Sequence, residues 1–145
     1  MNAAHLHLAI NHFPVVGFII ASPLLAWAVF RKSDVLAKTA FGLIIIIGLS
    51  AAAAFFTGEP AEELVEGMPG ISESLIEEHE EAAEFALIVS LIAGAVCLVS
   101  LIVFRGGRPL PLWLLMGVLT LSLAAAGAMG RTANLGGMIH HEEIR

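Results

Sequence analysis

The sequence predicts an all-α integral membrane four-helix bundle with both termini on the periplasmic side. Three observations carry this expectation. The 145 residues are 58% hydrophobic and only 14% charged, with mean hydropathy +0.89, too apolar for a soluble domain of this size. Four apolar runs of spanning length, about 8–30, 40–56, 85–104 and 110–129, hold no Lys, Arg, Asp or Glu. Five of the seven basic residues fall in two short loops, Arg31, Lys32 and Lys38 in one and Arg105 and Arg108 in the other. The positive-inside rule makes those loops cytoplasmic. The chain is too short for a bundle and a separate soluble domain, so residues 1–145 read as one transmembrane domain. Its helices are expected at about 8–30, 40–56, 74–104 and 110–129, with an outer acidic loop over 57–73.

The first helix carries Pro14 and Pro23, and Pro14 suits a first turn or a kink near the outer surface. The N-terminus lacks a positively charged leader, so this run is expected to be retained rather than cleaved. On a continuous helix His12 shares a face with His5, Leu8, Val16 and Ile19, while His7 points away. After the second helix, Thr57-Gly58-Glu59-Pro60 reads as a break and a new start, followed by a short surface helix closed by Gly67 and Pro69-Gly70. Ser74 and Glu77 form a capping box for the third helix. There His79 lines up with Leu75, Ala83, Ala86 and Ser90, with Glu77, Glu81 and Glu84 on the opposite side. The fourth helix is expected to end near Met129, with Gly136-Gly137 turning the tail back.

Several classes of function are excluded or disfavoured. A formal charge of −6 and no basic patch give no reason to expect nucleic acid. Cys97 is the only cysteine and lies in an apolar run, where a buried, inert thiol is the natural reading. There is no Cys-x-x-Cys-His for a c-type haem, and no Gly-x-Ser-x-Gly for a serine hydrolase. The midplane stretches carry no ionisable side chain other than the thiol, which argues against a transporter. An electron-transfer or binding protein is expected before a stand-alone enzyme.

What remains is a one-sided distribution of polar chemistry. Residues 59–84 hold ten of the thirteen acidic residues, and His79 sits among them with two glutamates on each side. All six histidines, His5, His7, His12, His79, His140 and His141, fall on the outer side of the expected topology. A b-type haem needs only axial ligands, such as two neutral imidazoles on facing helices, and His12 and His79 are the pair to expect. The small residues Ala51–Ala54 and Ala124–Ala128 would leave room for the ring, although such residues also serve close helix packing. The rival chemistry is a zinc, copper or iron ion held by His5, His12, His79, His140, Glu59 and Glu63. That signal is one of clustering: no His-Glu-x-x-His or Glu-x-x-His motif is present. Structural roles stay open beside both. His12 can bond carbonyls freed near Pro14, His79 can bridge to a glutamate, and the acidic run can be a solvated face. A third reading is a cofactor-free assembly subunit of a larger membrane complex. Besides the lipid bilayer, the partners to expect are a basic periplasmic electron carrier, such a complex, or a second copy of the chain.

His12-Phe13-Pro14 on the first helix, Thr57-Gly58 ending the second, His79 opening the third and the Gly136 to Ile139 segment together resemble a known family. It is the bacterial four-helix transmembrane domain family of unknown function with a His-Phe-Pro motif on the first helix. The likeness covers most of the chain. Similar domains occur beside c-type cytochrome modules, so the resemblance implies a bacterial inner (cytoplasmic) membrane location and respiratory electron transfer or haem handling, with His12 and His79 as the residues to test. This chain departs from the pattern in its His140-His141 ending and its acidic EEHEE segment, both of which favour an added or alternative metal site.

Overall fold

The computed structural model describes residues 2–65, 68 and 70–140. All regular structure among them is helical: α1 Ala3–Ile10, α2 His12–Phe30, α3 Asp34–Phe56, α4 Gly58–Glu62, α5 Glu73–Val103 and α6 Leu112–His140. Four stretches are long and apolar enough to cross a membrane, namely Ala3–Phe30 (α1 with α2), Asp34–Phe56, Glu73–Val103 and Leu112–Ile139. Packing runs α2 on α3, α3 on α5, α5 on α6 and α6 back on α2, a closed ring of antiparallel neighbours. All the described histidines therefore gather at one end, and the basic loops lie at the other. At the histidine end, α1 and α4 pack on each other and on the last turns of α3.

The helix ends differ from the hydropathic runs for local reasons. The α3 helix starts at Asp34 because the Ser33 hydroxyl accepts the Leu36 N–H (3.3 Å). The α5 helix starts at Glu73 after Ser72, so Ser74 lies within it, with its hydroxyl 3.0 Å from that of Ser72, rather than capping it. The largest difference is α6, which does not turn back at Gly136-Gly137 but runs through them to His140. Hydropathy registers where the bilayer core ends, whereas the i→i−4 ladder continues wherever the backbone has partners. The short surface helix is α4, ending at Glu62; Gly67 and Pro69, expected to close it, lie outside the described residues.

The core is a column of Phe18, Leu25, Phe41, Ile44 and Val118, all fully buried. Lipid chains are as apolar as leucine, so these helices gain little from mere burial and depend on close packing and on interhelical hydrogen bonds. Both are visible. A Cβ on Gly48 would stand 3.0 Å from the Ser90 carbonyl oxygen, so α3 approaches α5 backbone to backbone. The buried hydroxyls of Ser22 and Ser122 bond each other between α2 and α6, while Ser90 and Ser100 return their protons to Ala86 and Val96 carbonyls of their own helix. At the basic end Asp34 clamps both loops. Its carboxylate meets Lys38 at 2.7 Å and accepts the Leu110 N–H at 2.8 Å, and Lys38 also donates to the Arg108 carbonyl (2.9 Å).

Candidate functional site

The first helical rod is interrupted at Asn11. Pro14 has no N–H to give the Ile10 carbonyl, so the ladder loses a rung there and α1 ends at Ile10. Asn11 is left with a buried side-chain oxygen that has no hydrogen-bond partner among the described residues. Pro14 itself is fully buried and anchors the inward stripe of α2, which continues through Phe18, Ala21, Leu25 and Ala28. One heptad before Pro14 on the same stripe stands His7.

His7 is half-buried against the end of α3. Its Nδ1 lies 3.1 Å from the Ala54 carbonyl oxygen and 3.1 Å from the Thr57 hydroxyl. That hydroxyl already donates to Ala54 O at 2.8 Å, so it can only accept from the ring. Both neighbours being acceptors, the proton sits on Nδ1 and the Nε2 lone pair is free. His79 repeats the arrangement on α5. Its Nδ1–H donates to the Thr132 carbonyl of α6 (2.9 Å), which again leaves Nε2 free. The two imidazoles stand at the same end of the bundle, one on α1 and one on α5. A glycine seats the His79 ring: a Cβ on Gly136 would come within 3.0 Å of His79 Cε1, whereas one on Gly58 would make only ordinary contact with His7 Cε1, at 3.8 Å. Buried small residues, Ala51, Ala54, Ala82 and Ala86, lie at this end of α3 and α5.

Thr57, Gly58, His79 and Gly136, singled out separately in the sequence, thus converge on one end of the bundle. His7 joins them; it lies away from the His12 face, as the helical wheel has it, but it is the His7 face that turns inward. The signal that finds it is the heptad step to buried Pro14 and on to Phe18 and Leu25. His12 lies on the other side of the rod, exposed, with Nδ1–H donating to the Leu8 carbonyl of the same rod (3.0 Å). Its companions there, Leu8, Val16 and Ile19, are about half exposed, as a lipid-facing stripe would be. His5 is exposed, its Nδ1 2.8 Å from the Asn2 side-chain oxygen that also caps α1. Glu59 and Glu63 are exposed, on α4 and just after it. His140 closes α6; its side chain, like His141, lies outside the described residues. Among the described residues no group of three or more His, Cys, Asp or Glu side chains is placed to hold a metal ion.

Around the pair the α5 acids Glu77, Glu78, Glu80, Glu81 and Glu84 are all exposed, while His79 turns inward toward Ala86 and Ser90 as its register predicts. A cleft of about 230 Å³ between α4 and α5 is lined by Glu62, Glu73, Ile76, Glu77 and Glu80. The site therefore offers two oriented imidazole lone pairs in a half-dry setting, beneath an acidic rim. Comparison with protein-family models, curated proteins and solved structures returns no match to this chain.

Proposed function

We propose that this chain is a membrane electron-transfer protein that holds a b-type haem at the acidic end of its bundle, where His7 and His79 are the residues that would hold it. The observation that carries the reading is the matched preparation of two histidines on different helices. Each Nδ1–H is spent on a main-chain carbonyl, and each Nε2 is left as a free donor. A carbonyl partner of this kind fixes the tautomer and orientation of a ligating imidazole and raises its basicity. The donor count favours haem over a lone ion. A structural zinc takes four protein ligands and a catalytic one three, whereas a haem supplies four donors of its own and asks the protein for two.

When bound, the haem supplies a one-electron couple. The chain's own residues do the rest. Ala54, Thr57 and Thr132 hold the rings, Gly136 makes room for that of His79, and α1 packed with α4 covers this end of α3. The exposed glutamates of α5 present a negative surface to a basic electron carrier on the outer face. The sequence resemblance to a family found beside cytochrome modules points the same way, and with it His12 enters the test as the competing ligand.

The test is an absorption spectrum of the detergent-purified full chain, oxidised and dithionite-reduced, after expression with ample haem. The expected result is a Soret band with sharp reduced α and β bands. His7→Ala and His79→Ala abolish them, and His12→Ala leaves them. Loss in His12→Ala with retention in His7→Ala would reassign the partner of His79. A colourless protein overturns the haem reading, and stoichiometric zinc, copper or iron in the same sample moves the assignment to an ion.

A further inference from the structure

The opposite end of the bundle carries a second feature, independent of the haem reading. A cleft of about 570 Å³ lies where α5 meets its following loop and is lined by Ile102, Val103, Arg105, Gly106 and Arg108. We propose that this cleft binds the phosphate group of an anionic membrane lipid.

Four observations lead there. First, the two arginines are uncompensated. Among the described residues Asp34 is the only acid at this end, and it is already engaged by Lys38 and by the Leu110 N–H. Among the described residues no carboxylate pairs with Arg105 or Arg108. Second, the wall beside them is apolar and outward-facing, with Ile102 57% and Val103 51% exposed, as expected of side chains that meet acyl chains. Third, the cleft lies at headgroup depth. Both tryptophans of the chain, Trp27 and Trp113, are exposed at this end, and indole rings concentrate where hydrocarbon gives way to headgroups. Fourth, the chain reverses through Gly106 and Gly107, with φ of +69° and +83°, which places Arg105 and Arg108 on one cleft rather than at opposite edges.

Guanidinium groups bind phosphate oxygens in a planar, often bidentate fork, and two of them match one phosphodiester. A free phosphate offers the same oxygens but nothing for Ile102 and Val103 to cover. The apolar wall therefore selects the lipid as the source.

The experiment is native mass spectrometry of the full chain in detergent, offered phosphatidylglycerol and phosphatidylcholine in equal amounts. A preference of about thirtyfold for phosphatidylglycerol is expected from two basic contacts of about 1 kcal/mol each. It falls to parity in the R105Q/R108Q double variant and by about fivefold in each single variant. R131Q, at the histidine end, keeps the full preference. Circular dichroism of each variant checks that the helices are intact, and the single variants remain informative if the double one does not fold. Equal retention of the two lipids, or a preference unchanged by R105Q and R108Q, overturns the proposal. Equilibrium dialysis of radiolabelled inorganic phosphate against delipidated protein separates the two sources. No saturable binding is expected, and binding that depends on Arg105 and Arg108 overturns the lipid assignment.

Discussion

At the scale of single residues, the orientation of an imidazole is set by what its second nitrogen touches. His7 and His79 are each held by a backbone carbonyl, which mutation cannot remove, so the changes to make are in the neighbours. Thr57→Val removes one acceptor from His7 and leaves Ala54 O in place. The expected cost is about 1 kcal/mol, read as a modest fall in Tm and, under the proposed haem reading, as partial loss of haem per protein. Gly136→Ala separates two effects of opposite sign. It favours the helix by up to about 1 kcal/mol, yet its Cβ meets His79 Cε1 at 3.0 Å. Unchanged or higher helix content with reduced haem occupancy is the expected outcome. Equal haem in Gly136→Ala and the parent protein would show that the ring is not seated tightly there.

At the scale of elements, the bundle depends on how closely the helices approach. Gly48 lets α3 reach the Ser90 carbonyl of α5, so Gly48→Val forces the pair apart. A loss of about 1–3 kcal/mol is expected, measurable as a lower midpoint of unfolding in mixed detergent micelles. The loop clamp at the other end is more exposed and worth less. Asp34→Ala frees Lys38 and the Leu110 N–H to water, and about 1 kcal/mol is expected after screening. The break at Asn11 belongs to this scale too. Without the missing rung at Pro14, α1 and α2 would form one ladder, and the terminal turns that bring His7 over the end of α3 would follow a different axis.

At the scale of the whole molecule, charge is polarised along the bundle. The acids of α4 and α5 crowd the histidine end, whereas Arg31, Lys32, Lys38, Arg105 and Arg108 lie at the other. Such a dipole orients the chain in a bilayer by the positive-inside rule and gives the acidic end long-range attraction for cations. If a basic carrier docks there, its association rate falls steeply as ionic strength passes about 0.15 M, where the screening length is about 8 Å. Replacing Glu77, Glu78, Glu80 and Glu81 by Gln should remove most of that salt dependence without changing the spectrum. Stopped-flow reduction over a salt series reads both.

The all-helical class, the four segments of spanning length and the gathering of the described histidines at one end are all readable from the sequence. Each follows from properties local to the chain: the length of apolar runs against bilayer thickness, and the alternation of direction through short loops. Thr57-Gly58, His79 and Gly136 were likewise legible as unusual residues at helix ends. Tertiary structure decided which face of each helix turns inward. In water, polarity marks the outer face; in lipid, both faces are apolar, and a stripe such as Leu8, Val16 and Ile19 is as hydrophobic as Phe18, Ala21 and Leu25. Hence a helical wheel drawn around His12 could not reveal that His7 faces the bundle. Packing around Pro14, the close approach at Gly48 and the continuation of α6 past Gly136 settled it, because those are contacts between segments far apart in the chain.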